Sequence, residues 1–224
     1  MTTNTTALAA ALERESSSDR LQAALTAGTA PRPEYLTVLV ARSAVEPDFF
    51  VRDMLTWAIV RHDASVSVPL LLREVAEGGD QARSQSLHTL SKIGDERGWR
   101  AITSELLRDK NDEVARSAWR AAAILVPPGE EAVLAESLAS QLGRGDATMR
   151  LSLSRAFAAL GDASLPTLER HAKHGTADAR AHAIASARLV LDPDATFDDL
   201  IREAVRAVSL QAAPALPPDD DAHR

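Results

Sequence analysis

An arginine leading into a helix-patterned apolar stretch recurs along this chain at an almost constant interval. The strings FFVRDMLTWAIVRH (49–62), QARSQSLHTLSKIGD (81–95), VARSAWRAAAILV (114–126), TMRLSLSRAFAALGD (148–162) and DARAHAIASARLVLD (178–192) align on Arg52, Arg83, Arg116, Arg150 and Arg180, at steps of 31, 33, 34 and 30 residues. Such a period marks supersecondary repeats that cannot bury their apolar faces alone and must stack on one another. An acidic residue lies two to four places before each arginine, at Asp48, Asp80, Asp112, Asp146 and Asp178, and Asp19-Arg20 carries the spacing toward the N-terminus. Six repeats therefore fit the chain.

Each repeat reads as two helices. After each arginine, apolar residues fall at helical spacing, as in Val51, Leu55, Ala58 and Ile59, or Met149, Leu153, Ala156, Phe157 and Leu160, on one face that has to be covered. Gly94-Asp95, Pro127-Pro128-Gly129, Gly161-Asp162 and Asp192-Pro193 interrupt the pattern as helix-ending glycine and proline do. Less regular helices are expected between them, at 66–78, 98–109, 130–143 and 164–175. The recurrent Asp stands where the arginine-bearing helix begins. There it caps free backbone N–H groups or meets the positive end of the helix dipole.

Composition agrees with helices and excludes several chemistries. The 224 residues contain no cysteine, so a disulfide scaffold, a thiolate metal site and a cysteine nucleophile are ruled out. Hydrophobic residues make up 45% of the chain and aromatic ones only 4%, which with abundant alanine favours close helix packing over sheets. The formal charge of −7 argues against bulk binding to nucleic acid or an anionic membrane, while leaving room for a local basic face. No stretch approaches the ~20 apolar residues of a bilayer span, and MTTNTTALAAALERESS lacks the pattern of a secretory signal, so a cytoplasmic location is expected.

The string RSQSLHTLSKIGD, with its arginine, the small residues that follow it, a leucine and a terminal Ile-Gly-Asp, resembles the second helix of the short HEAT-like repeats of the phycobilisome-lyase type. The whole chain is similar to HEAT-repeat proteins of actinobacteria, over roughly residues 18–192. The resemblance implies an all-α fold: a right-handed α-α superhelix, or HEAT-like solenoid, of about six helical hairpins plus a C-terminal capping helix. On this reading residues 1–210 form a single repeat domain, with repeats near 5–28, 32–62, 66–95, 98–127, 130–162 and 164–192 and a cap at 196–210. The proline-rich, acidic residues 211–224 are expected to be a disordered tail.

In HEAT-type stacks the second helices line the concave face, which directs attention to fixed offsets from each arginine. Five places on stand Trp57, His88, Ala121, Arg155 and Ala185; nine places on stand Arg61, Lys92, Leu125, Ala159 and Leu189. Residues four apart share a side of a helix, so Trp57 with Arg61 and His88 with Lys92 form adjacent pairs, and Arg155 adds to a basic ridge carrying one aromatic. Asp53 is placed to fix the register of a basic group. Trp and Arg are favoured interface anchors; the plainer alternative is a solvated helix face with Trp57 partly packed under its neighbour. The aligned Arg52, Arg83, Arg116, Arg150 and Arg180 read as structural braces to acidic residues or loop carbonyls, with an arginine ladder for a polyanion as the alternative.

Other candidates are weaker. Trp119 falls in a core-like column, and Trp99 covers a junction between repeats. His171 and His174 lie three apart with His182 in the next helix, but no HExxH motif and no third ligand accompany them, so surface histidines are expected and no metal. No GxGxxG, GxxxxGK[ST] or GxSxG string is present, and no cofactor or catalytic residue is assigned. The expected function is that of a non-catalytic scaffold or adaptor, monomeric, binding a protein or peptide segment on the concave face. Two alternatives stand beside it: a nucleic-acid binder similar to the DNA-glycosylase HEAT-like proteins, and a bilin-lyase-like enzyme or chaperone.

Overall fold

Described for residues 3–211 by a computed structural model, the chain is all-helical, with thirteen α-helices, three short 3-10 segments and no strand among those residues. Four hairpins come first: α1 (Thr3–Leu12) with α2 (Ser17–Thr29), α3 (Leu36–Ser43) with α4 (Phe49–Val60), α5 (Ala64–Glu77) with α6 (Asp80–Ile93), and α7 (Ser104–Leu107) with α8 (Asp112–Leu125). Then follow α9 (Glu131–Ala139), α10 (Ala147–Leu160), α11 (Leu165–Lys173), α12 (Ala177–Leu191) and α13 (Phe197–Gln211). Of the expected tail 211–224, Gln211 closes α13 and the remainder lies outside the described residues.

The chain divides into two compact units, Met1–Leu138 and Ala139–Arg224. In the N-terminal unit α2 packs on α4, α4 on α6 and α6 on α8, so the arginine-bearing helices form one row. Their partners form another, α1 on α3 and α3 on α5, continued by the 3-10 turn Glu96–Ala101 against α5. In the C-terminal unit α12 packs on α10, α11 and α13, and Ala181, Ala185, Leu189, Phe197, Ala204 and Val208 share one core.

Burial explains why these helices dock. Leu55 and Ile59 on α4 and Leu87 on α6 are fully buried, each contributing about 1.5–3 kcal/mol relative to exposure. An exposed i,i+3 pair such as Arg116–Glu113 is worth at most about 1 kcal/mol, so the apolar faces decide the packing. Ala58, Ala115, Ala118, Ala121 and Ala122 are also buried; small side chains at the contact let the helices approach closely, which accounts for the alanine-rich, aromatic-poor composition.

The recurrent acids divide between the two roles expected of them. Asp48 and Asp146 are true caps, accepting hydrogen bonds from Phe50 and Val51 N–H and from Met149 N–H. Asp80, Asp112 and Asp178 instead lie in the first turn, where they meet the helix dipole. In those three helices Gly79, Asn111 and Thr176 hold the cap position.

One expected helix is broken. Across 98–109, Asp95 caps the 3-10 turn, Ile102 is extended, and the Thr103 hydroxyl starts the single-turn α7 by accepting from Leu106 N–H. Two competing caps so close together stop one helix from running through. The short α7 still anchors α8: Trp119, fully buried as its column suggested, donates its indole N–H to the Leu107 carbonyl at 2.8 Å.

Candidate functional site

Helices α4 and α6 carry the candidate residues of the N-terminal unit. Asp53, Trp57 and Arg61 follow one another at intervals of one helical turn, and so do His88 and Lys92 on α6. The two helices are locked in register by a buried contact between Thr56 and Thr89 and by Gln85, whose amide donates to the Thr56 hydroxyl at 2.8 Å. This register brings Asp53 and His88 into one groove.

Trp57 has two sides with different work. One lies on the backbone of α2 at Gly28, where a Cβ would come within 2.3 Å of the ring and 2.9 Å of the Ala58 Cα. The Arg61 guanidinium stands 5.7 Å from the ring centroid, and 39% of Trp57 remains exposed. A cation held over an indole that is itself braced from behind is a preset aromatic anchor. Gly28→Ala should therefore cost about 1–3 kcal/mol through overpacking and tilt Trp57 off α2. Chemical denaturation, with the change in tryptophan emission of the native state, checks this.

The groove beside the ridge has a volume of about 580 Å3 and is lined by Phe49, Asp53, Asp80, His88, Glu113 and Arg120, among others. Arg120 and the His88 Nδ1 lie 3.2 Å apart. Burial pushes His88 below the usual histidine range, nearby Arg120 and Lys92 add to this, and Asp53 opposes it. His88 is thus neutral at pH 7, with Nδ1 accepting from the guanidinium. Much of the remaining polar lining is committed within the fold: Gln81 donates to the Ser43 and Glu46 carbonyls, Ser84 is paired with Ser117, and Asn111 donates to Asp80. The Asp80 carboxyl is held below its usual range, first by Arg83 and then by Asn111.

Sequence projection passed over Arg120 because it stands four places after Arg116, where Trp57 and His88 stand five places after their arginines; the fifth place on α8 is the buried Ala121. Scanning a window of one residue on either side of the offset would have found it. Also unanticipated are Phe49 and Phe50, 65% and 70% exposed and stacked edge to face at the start of α4. Arg155 is exposed on α10, in the C-terminal unit, whereas the other candidates all belong to the N-terminal one.

Each aligned arginine engages its own corner or the next repeat. Arg52 donates to the Glu46 and Pro47 carbonyls, Arg83 pairs with Asp80 and Asp109, and Arg116 pairs with Glu113. Arg150 donates to the Gly143 carbonyl and Arg180 to those of Ala172 and the Gln211 side chain. The equivalent Arg20 makes the strongest set: a two-pronged pair with the buried Glu46 at 2.8 Å and bonds to the Arg14 and Glu15 carbonyls.

His182 is not a surface histidine. It is fully buried, its Nδ1 accepting from Gly143 N–H at 3.0 Å and its Nε2 lying 3.0 Å from both the Arg150 carbonyl and the Ser154 hydroxyl. His174 is exposed and His171 partly so. No group of three His, Cys, Asp or Glu among the described residues could hold a metal ion. No described helix is long and apolar enough to cross a membrane. No family model matches this chain, and no curated protein matches its sequence.

Proposed function

We propose that the chain is a non-catalytic binding module, a HEAT-like right-handed α-solenoid that takes an acidic segment of a partner protein along the row of arginine-bearing helices. The observation that carries this reading is the exposed Trp57 with Arg61 set over it, one helix away from His88 and Lys92. An apolar ring beside cations suits a peptide with carboxylates and one apolar side chain, since Trp and Arg supply most binding energy at such surfaces. Asp53, Asp80 and Glu113 interleave with the cations in the adjoining groove. That mixture favours a protein segment over the continuous negative charge of nucleic acid. Arg155, exposed on α10, is the cation that the C-terminal unit offers a partner.

The test is fluorescence anisotropy with a labelled Asp/Glu-rich peptide containing one phenylalanine, beside a labelled DNA duplex. The triple variant Trp57→Ala, Lys92→Ala, Arg155→Ala should weaken peptide binding more than about tenfold, because each anchor residue typically contributes over 1 kcal/mol. Unchanged affinity in that variant would overturn the assignment. Tighter binding to the duplex, falling steeply with salt, would replace it with nucleic-acid recognition.

A further inference from the structure

Helix α1, TNTTALAAAL, is the only one of the thirteen described helices without a charged residue, although Thr6, Ala7 and Ala10 are exposed. A helix on the surface of a soluble unit ordinarily shows a polar, charged outer face. Between α1 and α3 runs a groove of about 790 Å3, with Thr5, Ala9 and Leu12 on one wall and Val38, Ala41 and Val45 on the other. Val45 is 64% exposed. The volume falls within the roughly 300–1,000 Å3 of ordinary binding clefts.

Three charged residues border this apolar floor: Glu13, Glu34 and Arg42. Arg42 donates to the Glu46 carboxylate at 2.6 and 2.9 Å, an anion that it shares with Arg20. Glu13 and Glu34 are exposed and carry no ion pair among the described residues. With two carboxylates against one guanidinium, the rim is negative on balance. We propose that the α1/α3 groove docks a cationic amphipathic helix of another protein, its apolar side chains at helical spacing in the groove and its Lys or Arg flanks facing Glu13 and Glu34.

Charge selects this occupant over two others. The chain's own C-terminal residues include Asp219, Asp220 and Asp221, which carry the wrong sign. A second copy docked face to face would gather four carboxylates, Glu13 and Glu34 of each copy, in one interface, because a two-fold interface uses one patch on both partners. The groove and the Trp57 ridge lie on different helices and carry opposite charge, so the N-terminal unit presents separate surfaces to a basic and an acidic partner. The groove assignment does not depend on the ridge.

Anisotropy of the full chain with a labelled peptide bearing leucines at i, i+3, i+4 and i+7 and flanking lysines tests it, against the same peptide with glutamates for lysines. The lysine peptide should bind saturably and about tenfold tighter than its counterpart. Glu13→Lys with Glu34→Lys should reverse that preference. Ala41→Glu, a charge placed at an exposed position on the floor, should weaken binding about tenfold with helicity by circular dichroism unchanged. Arg61→Glu with Lys92→Glu should leave it intact. Equal affinity for both peptides, failure of the double charge change to reverse the preference, or equal loss in the Arg61/Lys92 variant would each overturn the proposal. A dimer that is lost in Ala41→Glu, with no saturable binding of the lysine peptide, would assign the groove to a second copy instead.

Discussion

Glu46→Ala is expected to destabilise the N-terminal unit by about 3–5 kcal/mol, the cost of breaking a buried ion pair by removing one partner. The carboxylate is completely buried, and around it converge Arg20 from α2, Arg42 from α3 and the Asp48 N–H that precedes α4. Its loss leaves Arg20, 6% exposed, without an anion. Replacing both partners, Arg20→Met with Glu46→Leu, should recover most of the stability, since apolar residues of similar volume serve as well as a buried pair. Urea denaturation of the single and double variants checks both statements; a single-variant loss below about 1 kcal/mol would show that the network is dispensable.

The same group sets an acid limit. Burial alone would raise the Glu46 carboxyl, but hydrogen bonds from Arg20, the Asp48 backbone and Arg42 override it and bring it from 4.5 to about 2. Because the folded value lies below the unfolded one, the stabilisation is complete above pH 4.5 and is lost as the pH falls toward 2.

The C-terminal unit should fail earlier on acidification. His182 is driven from 6.5 down to about 4, chiefly by burial, with the nearby Arg150 charge assisting and the hydrogen bond to its carbonyl opposing. The bonding pattern shows why. Nδ1 accepts the Gly143 N–H, so Nε2 carries the single proton and reaches the Arg150 carbonyl and Ser154, itself 2.7 Å from Ser186. A second proton would face Nδ1 against another N–H. The unfolded chain takes that proton first, so stability drops by about 3 kcal/mol between pH 6.5 and 4 and is constant above 6.5. His182→Asn, whose amide oxygen can still accept from Gly143, should flatten this dependence at some cost at neutral pH. Hydrogen exchange of α10 and α12 amides across that range is the measurement, and an unchanged pH dependence in the variant would sink the assignment to His182.

Much of the local structure was legible from residue order. The helix stop at Gly94 follows from its positive φ of 70°, which alanine and leucine avoid. The burial of Trp119 followed from its column, and the exposure of Asp53, Arg61, Lys92 and Arg155 from helical spacing. Spacing could not show that Arg120 reaches His88, because a one-residue difference in offset rotates a side chain by about a quarter turn of the helix. Nor could it mark Glu46, which stands outside the periodic stretches, just before Pro47. The surface reading of His182 failed for a related reason: an alanine-rich helix offers no contrast between its inner and outer faces.

The chain's period and its apolar spacing determine helices, their stops and which of their faces must be covered, because these depend on neighbours within one or two turns. Tertiary structure alone decided which polar groups meet. Arg20 finds Glu46 across 26 residues, and Ser154 finds His182 across 28 and Ser186 across 32. Those pairings depend on how each helix is rotated and set against the next, which side-chain volumes at the contact decide. The recurrent arginine announced that helices stack; its partners became known only once they had stacked.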